Sequence, residues 1–318
     1  MMKHLSAAWK GNGAAGTYVA VLILGIVGWF ILGSIPALAV VLSKGVVSGD
    51  VSELQQMMSA NGYMLTVFSS FVIGLLLFAL LVPLMHKRGF CSVVNGGKRI
   101  RWSHFFVAFG LYFVAIALVQ GGMMLARPDN FVWQFSAGPF FRMLPLLLIC
   151  VPLQTLFEEY LFRGYLMQAS AAWTRRVWVA LLLPALLFGL AHSANPEVGA
   201  YGFVVMMAQY LLFGLIFGWF TLADDGLEVS WGMHTANNLF LLLFLTEEHS
   251  AMPTPALWRQ VDATPGWVDV LLLLLVALLL WVVLKRLFHW HRPQLFQKID
   301  DTNREELPTL SKENKEGI

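Results

Sequence analysis

The sequence predicts an all-α protein, a polytopic transmembrane helical bundle of about eight spans. Three observations carry this prediction. Hydrophobic residue types make up 58% of the 318 residues and charged types only 13%, about half the charged share of a soluble domain. The hydrophobic residues are concentrated in stretches near 20 residues long, the length of a helix that crosses the hydrocarbon core of a bilayer. Basic residues cluster in alternate connections between these stretches.

The apolar segments are long enough to span a membrane at 1.5 Å per residue. They cover residues 17–43, 64–85, 103–126, 143–171, 177–195, 200–222, 229–246 and 267–288. Backbone polar groups in lipid must be satisfied within the segment, so each is expected to be a helix. The first segment is too long for the apolar region of a signal peptide and is interpreted as a span.

The distribution of Lys and Arg predicts that both termini are cytoplasmic. The second-to-third and fourth-to-fifth connections and the stretch after the last segment carry most of the basic residues: Lys87, Arg88, Lys98, Arg99, Arg101, Arg175, Arg176, Lys285, Arg286, Arg292 and Lys298. The alternate connections are poor in them. Basic loops favour the cytoplasmic side, and this pattern agrees with an even number of spans.

Charge and cysteine content exclude several other classes. The formal net charge of +2 gives no reason to expect a nucleic-acid partner. The long apolar segments instead make the lipid bilayer the expected environment. Cys91 and Cys150 belong to no CxxC pair, which argues against a disulfide or a thiolate metal site. Residues 297–318 are hydrophilic and charged, and a disordered cytosolic tail is predicted there.

Ionisable residues inside apolar segments are the strongest functional signal, because a charge within the membrane costs at least a few kcal/mol. The fourth segment contains Glu158 and Glu159 side by side, about 100° apart around a helix, so different roles are expected. Glu159 lies one turn before Arg163, and the two are expected to form an ion pair. Glu158 has no such partner nearby in sequence, so its carboxyl is expected to face the bundle interior as a base. The alternative, a wet helix end, is disfavoured by the apolar residues that follow.

Further polar residues lie in the fifth and seventh segments. His192 stands alone in the fifth, whereas His234 and Asn238 are one turn apart in the seventh, with Asn237 rotated away as a weaker candidate. Taken singly, each is as well explained by hydrogen bonding between helices, and the same holds for Gln120, Gln154 and Gln209. Glu158 and His192 each lie 17 residues from Arg175, which places both about 25 Å from the turn of an antiparallel hairpin. A joint site is therefore favoured.

Three motifs at these positions resemble those of the CAAX prenyl endopeptidase and bacteriocin-processing (CPBP) family. They are Glu-Glu-x-x-x-Arg at 158–163, Phe-x-x-x-His at 188–192 and His-x-x-x-Asn at 234–238. The similarity covers about residues 143–242. The resemblance implies an eight-helix intramembrane protease whose catalytic cavity opens toward the cytosol. It also implies that Glu158 activates a water with His192, that His234 and Asn238 hold the oxyanion, and that Glu159, Arg163 and Phe188 support the site.

The residue types agree with peptide hydrolysis, which needs a base for water and donors at the developing oxyanion. A zinc site made of Glu158, His192 and His234 is chemically open. No HExxH motif pre-arranges two ligands on one helix, so a reaction without a metal cofactor is favoured. The expected substrate is a membrane-anchored protein or peptide, of which a lipidated CAAX-like C-terminus is one form, and a bacterial inner membrane is the expected location.

Two other function classes remain as alternatives. A proton-coupled transporter would use buried Glu and His residues as a relay, but the sequence shows no inverted repeat. A non-catalytic scaffold or immunity protein of the same fold would carry the motifs without activity. In domain terms, residues 1–142 hold a short cytosolic N-terminus and three helices, 143–246 the catalytic core, 247–296 an external loop and the last helix, and 297–318 the tail.

Overall fold

The computed structural model describes residues 2–44, 58–97 and 99–299. Within these residues the chain is mainly helical, and each of the predicted apolar segments forms a helix. The helices are α1 (Lys3–Ser6), α2 (Ala15–Gly33), α3 (Ile35–Lys44), α4 (Ala60–Leu81), α5 (Cys91–Asn95), α6 (Trp102–Ala126), α7 (Ala137–Glu159), α8 (Met167–Thr174), α9 (Val177–Ala191), α10 (Pro196–Tyr201), α11 (Phe203–Asp224), α12 (Glu228–Phe244) and α13 (Trp267–Leu287). The predicted fold class is confirmed.

Six continuous helical stretches in the described residues are long and apolar enough to cross a membrane. They are Ala15–Ser43, Ala60–His86, Trp102–Ala126, Ala137–Thr174, Phe203–Asp224 and Trp267–Leu287. The other two predicted spans are shorter, with 15 residues in α9 and 17 in α12. The count of about eight is therefore approximate, because the fifth segment ends at Ala191 rather than at 195 and the seventh at Phe244. Both of these helices carry predicted site residues.

One end of the bundle gathers both described ends of the chain. The backbone amides of Lys3 and His4 each donate to Asp225, between α11 and α12, at 2.9 Å. The backbone amide of Ile299 donates to the carbonyl of Arg175, between α8 and α9, at 3.0 Å. The α8–α9 and α11–α12 connections thus lie at the same end of the bundle as both described chain ends. A chain whose two ends lie on one side crosses the membrane an even number of times.

The N-terminal segment is short, as expected, and it packs against the helical bundle. His4 and Leu5 are 1% and 0% exposed. The His4 ring donates from Nε2 to the carbonyl of Arg163 at 2.9 Å, and Gln168 donates to the His4 carbonyl at 2.9 Å. At the other terminus the predicted tail begins too early, because Ile299 is 5% exposed; residues 300–318 of that prediction lie outside the described residues.

A small sheet at the opposite end joins two long connections, a feature that the sequence did not suggest. Strand β3 (Trp258–Gln260) pairs antiparallel with β1 (Phe131–Trp133) and parallel with β2 (Leu245–Glu247). The side chain of Asn130 donates to the carbonyl of Asp262 at 2.9 Å. These contacts tie the α6–α7 connection to the stretch between α12 and α13, next to α10.

Small residues let the central helices approach closely. A Cβ on Gly232 of α12 would lie 2.3 Å from the carbonyl oxygen of Phe105 in α6, and one on Gly214 of α11 would lie 2.8 Å from that of Ala185 in α9. Such contacts are typical of packing in membranes, where close van der Waals contact replaces the hydrophobic effect between helices. They bring α12 close to α6 and α11 close to α9.

Candidate active site

The two glutamates lie at a change of helix geometry in the middle of the fourth predicted span. Helix α7 ends at Glu159, and the chain continues without a break through a π-helical segment, Tyr160–Leu166, into α8. A π-helical turn holds more residues than an α-helical turn and leaves carbonyls free for other donors, and such segments are frequent at functional sites. Here the carbonyl of Arg163 accepts from His4, so the N-terminal segment stabilises the irregular turn.

The predicted ion pair between Glu159 and Arg163 is present and deeply buried. The Arg163 Nη1 donates to Glu159 Oε1 at 2.9 Å, and the two side chains are 1% and 0% exposed. The guanidinium carbon also lies 4.1 Å from the ring centre of Phe188 and 5.4 Å from that of Phe217. Aromatic faces attract a desolvated cation, so Phe188 and Phe217 stabilise the charge that Glu159 neutralises.

His234 lies between the two carboxylates. Its Nδ1 donates to Glu159 Oε1 at 2.8 Å, and its Nε2 lies 3.5 Å from Glu158 Oε2. Because Glu159 contacts Nδ1, it fixes the orientation of the ring and directs Nε2 toward Glu158.

Glu158 has a neutral hydrogen-bonding partner close in sequence and, in the described residues, no Lys or Arg ion-pair partner. Gln154, one turn earlier, donates to Glu158 Oε1 at 2.6 Å and accepts from Asn238 at 3.1 Å. Gln154 thus forms an interhelical hydrogen bond, as expected, and it also belongs to the site. Its spacing of four residues from Glu158 is the sequence signal that could have indicated this. Glu158 Oε2 accepts no hydrogen bond, although the residue is only 7% exposed.

Both asparagines of α12 belong to the same hydrogen-bonded chain. Asn237 donates to Asn238 at 3.1 Å and accepts from Tyr112 of α6 at 3.4 Å. The sequence interpretation of Asn237 as turned away from the site is therefore wrong, since its side chain reaches Asn238 across the helix surface. Buried hydroxyls of Thr155 and Thr235, 2.7 Å apart, fix the register of α7 against α12.

His192 reaches the site from the C-terminal end of α9. Its Nδ1 donates to the carbonyl of Phe188 at 2.8 Å, and its ring centre lies 4.3 Å from that of Phe188 and 4.7 Å from that of Tyr210. The hydrogen bond from Nδ1 leaves Nε2 as the acceptor in the neutral ring. His192 and Glu158 line one cavity.

The site residues face a single cavity of about 1390 Å³. Its inner wall includes the predicted residues and their neighbours: Gln154, Glu158, Phe188, His192, Tyr210, Phe217, His234, Asn237 and Asn238. Gln120 and Gln209 also line it, and neither forms the expected interhelical hydrogen bond within the part of the chain that the structure describes. The remaining walls are largely aromatic and aliphatic. Polar groups thus converge in an otherwise apolar enclosure, as in ligand and catalytic sites.

The cavity extends to the end of the bundle that carries the sheet. Its outer wall includes exposed residues of the connections around α10, β2 and β3, among them Glu248 and Asp262. No described residue of the connections at the opposite end, which holds both described chain ends, lines the cavity. The expectations of cytosolic termini and of a cytosolic opening therefore cannot both hold, because the fold places the described chain ends and the opening of the cavity at opposite ends of the bundle.

The possible zinc ligands do not form a compact group. No three His, Cys, Asp or Glu side chains come together at metal-binding distances in the described residues. His234 Nδ1 is directed to Glu159 and His192 Nδ1 to Phe188, so each ring has only Nε2 free. The donor set of Glu158, His192 and His234 therefore does not fit a preformed zinc centre, and no step below passes through a metal.

Comparison with known proteins agrees with the motifs. The family model described as type II CAAX prenyl endopeptidase Rce1-like matches residues 139–240. A relative from Bacillus subtilis (strain 168), described as uncharacterized protein YyaK, is 31% identical over 264 residues, which are 81% of this chain and 87% of the relative. No solved structure matches the chain significantly. With its six membrane-length helices, the chain is an integral membrane protein that belongs to the Rce1-like family of type II CAAX prenyl endopeptidases.

Proposed function

We propose that this protein is an intramembrane endopeptidase that hydrolyses peptide bonds of membrane-associated substrates. One observation carries the proposal. A buried carboxylate oxygen of Glu158, which accepts no hydrogen bond from the described residues, lines a cavity that it shares with the imidazoles of His192 and His234 and the side-chain amide of Asn238. A base with one oxygen available, next to groups that can donate, is what the hydrolysis of an amide requires. The family itself is a protease family.

In the proposed reaction, Glu158 is the base. A water placed between Glu158 Oε2 and His192 Nε2 would donate one hydrogen to each, and this fixes its lone pairs toward the substrate carbonyl. Glu158 takes the proton as the water oxygen bonds to the carbonyl carbon. The tetrahedral intermediate then expels the amine, to which Glu158 returns the proton, so that the base is regenerated and the products are a new C-terminus and a new N-terminus.

His234 and Asn238 are the proposed donors to the oxyanion. His234 Nε2 lies 3.5 Å from Glu158 Oε2, a separation that leaves room for an oxygen to approach both groups. Asn238 uses one of its two amide hydrogens for Gln154, and the second is free for the substrate. Donors held in advance, in a largely apolar enclosure, act on the developing charge with little reorganisation.

Glu159 and Arg163 are proposed to hold this arrangement rather than to react. Glu159 orients His234 through Nδ1, and Arg163 neutralises Glu159. Arg163 is enclosed by Phe188 and Phe217, so neither member of the pair is expected to touch the substrate. Phe188 also positions His192, since its backbone carbonyl accepts a hydrogen bond from the ring of that residue.

We propose the version without a metal, because Nδ1 of His234 is held by Glu159 and Nδ1 of His192 by the Phe188 carbonyl, and no three side chains form a metal-binding group in the described residues. Zinc content and activity decide the matter directly. An active preparation that contains stoichiometric zinc, loses activity with a chelator and regains it with zinc would replace the metal-free proposal.

The proposed substrate is a protein or peptide anchored in the same bilayer, with a lipidated CAAX-like C-terminus as one form. The proposed location is a bacterial inner membrane, consistent with the relative from Bacillus, with both termini in the cytoplasm.

The decisive experiment compares wild-type protein with Glu158→Gln and Asn238→Ala in cells that lack the native protein. Termini of membrane proteins, identified by mass spectrometry, should include products that appear only with wild type. Glu158→Gln should abolish them, and Asn238→Ala should slow their formation by about 10²–10³. Both variants must be inserted and folded, as checked by size-exclusion chromatography in detergent. Undiminished products with Glu158→Gln would refute the assignment.

A further inference from the structure

The outer part of the cavity carries an excess of negative charge. Among the described residues, its rim includes the carboxylates of Glu197, Glu247, Glu248, Asp262 and Asp269, against the guanidinium of Arg127 and the imidazole of His249. These residues come from α10, the stretch between α12 and α13, and the start of α13. A concave surface of one sign, bounded by apolar walls, concentrates its electric field toward oppositely charged ligands.

One of these carboxylates has an oxygen without a partner. Glu197 Oε1 accepts from the backbone of Ala251 at 2.9 Å, while its Oε2 is buried and accepts no hydrogen bond from the described residues. Burial, and then the neighbouring charge of Glu197, raise the pKa of Glu247 above its usual value, and a hydrogen bond from Tyr201 and the nearby His249 offset this only in part. Neither residue forms an ion pair with a Lys or Arg within the described ranges, and no three-ligand metal group is present there. A cation supplied by a ligand would relieve both the burial and the mutual repulsion.

The rim is continuous with the candidate active site. The cavity that begins at this rim ends at Glu158, whose Oε2 is buried without a hydrogen bond. Along α12, His234 and Phe244 are separated by ten positions, or about 15 Å at 1.5 Å per residue. An extended peptide covers about 3.3 Å per residue, so about five residues separate the rim from the reacting bond. The cavity of about 1390 Å³ exceeds the usual size of a small-molecule site and suits such a segment.

We propose that the carboxylate rim selects substrates in which Lys or Arg lies about five residues from the scissile bond, with an apolar segment between them. This inference rests on the proposed peptidase function and specifies its substrate class. The attraction is enhanced next to a low-dielectric wall, while the apolar segment occupies the aromatic part of the cavity. Since the rim lies at the end opposite to both described chain ends, the basic residue arrives from that side of the membrane.

Two synthetic peptide libraries test the proposal with the full-length protein in nanodiscs. Both have the same randomised apolar centre of ten residues, flanked at each end by Lys-Lys in one library and by Glu-Glu in the other. Mass spectrometry measures the rate and position of cleavage. We expect the Lys-flanked library to be cleaved on the order of tenfold faster, about five residues from the basic pair. The double variant Glu197→Gln/Glu247→Gln should bring the two rates close together.

Two controls separate rim charge from general damage. Asp129→Asn changes a carboxylate at the same end that does not line the cavity, and it should keep the preference. Wild-type protein in high salt should lose much of the preference, because exposed charges are screened, and this measurement needs no variant to fold. Equal rates for the two libraries, or a preference that survives in the double variant, would overturn the proposal.

Binding distinguishes failure of the rim from failure of the peptidase. Fluorescence anisotropy of the labelled libraries is measured with Glu158→Gln, with and without the two rim changes. One outcome is that wild type cleaves neither library, that the Lys-flanked library binds about tenfold more tightly, and that the two rim changes remove this difference in affinity. In that case the rim proposal stands and the peptidase proposal falls. If binding shows no charge preference, the rim proposal falls.

Discussion

Loss of the negative charge at Glu159 offers the sharpest test of the buried network. In Glu159→Gln the amide oxygen can still accept from His234 Nδ1, so the shape and this hydrogen bond are preserved. The change removes only the charge that faces Arg163, 2.9 Å away. Arg163 is 1% exposed, so water cannot replace the missing carboxylate.

The expected magnitude follows from this burial. Removal of one member of a buried ion pair typically destabilises a protein by about 3–5 kcal/mol, because the other charge remains without compensation. Phe188 and Phe217 already contact the guanidinium in the wild type, so they cannot supply new stabilisation. Replacing Arg163 as well, in Glu159→Gln/Arg163→Met, should recover about 2 kcal/mol or more of the loss.

The assay is unfolding of the purified protein in mixed micelles of increasing SDS, followed by tryptophan fluorescence. Wild type, the two single variants and the double variant form a double-mutant cycle. Glu248→Gln, an exposed carboxylate, is the control and should change stability by less than about 0.5 kcal/mol. A loss below about 1 kcal/mol in Glu159→Gln, or additive effects in the double variant, would refute the view that the pair is a compensated buried charge.

Three further predictions concern other parts of the structure. Burial, opposed by the charge of Asp225, lowers the pKa of His4 below 6.5, so below that pH the unfolded chain binds a proton that the folded chain does not, and the protein should lose stability. Thermal melts from pH 8 to 5 should therefore show a smaller loss of stability in His4→Gln than in wild type. An equal dependence on pH in the two proteins would contradict the assignment. Gln154→Ala removes the donor at 2.6 Å from Glu158 and should reduce kcat about 10- to 100-fold with little effect on KM for any substrate identified; unchanged kcat would exclude a positioning role. In a background without native cysteines, Asp129→Cys should react with an impermeant maleimide on intact cells and Arg176→Cys only after lysis, and the reverse pattern would invert the predicted orientation.

Sequence reasoning predicted the site residues from their incompatibility with lipid. Glu158, Glu159, His192 and His234 are conspicuous because an ionisable group in a membrane helix needs a partner or a function. Spacing of four along a helix also predicted the Glu159–Arg163 pair, because such positions share a face whatever the rest of the fold. Their catalytic roles remain a proposal, carried by the cavity and by the family.

Other site residues could not be predicted, because their environment is set by a second helix. Gln154 appeared to be one of three equivalent glutamines, yet it alone bridges Glu158 and Asn238. Asn237 appeared to face away, although its amide reaches Asn238 and Tyr112. The N-terminal segment was expected only to be short and cytosolic, and nothing in its sequence indicated that His4 and its backbone pack onto the π-helical turn and α8. A sequence pattern records the polarity of a residue but not the neighbour that satisfies it.

By itself the sequence determined that this chain is a membrane helical bundle with charged residues in its fourth, fifth and seventh segments. Composition and periodicity suffice for this, because each helix satisfies its own backbone in lipid independently of the others. Three features required the tertiary structure: His234 lies between two carboxylates, His192 is oriented by the carbonyl of Phe188, and the cavity reaches the end opposite to both described chain ends. These features depend on the packing and register of helices distant in the chain, and the hydrophobic pattern, which describes each helix against lipid, contains no information about them.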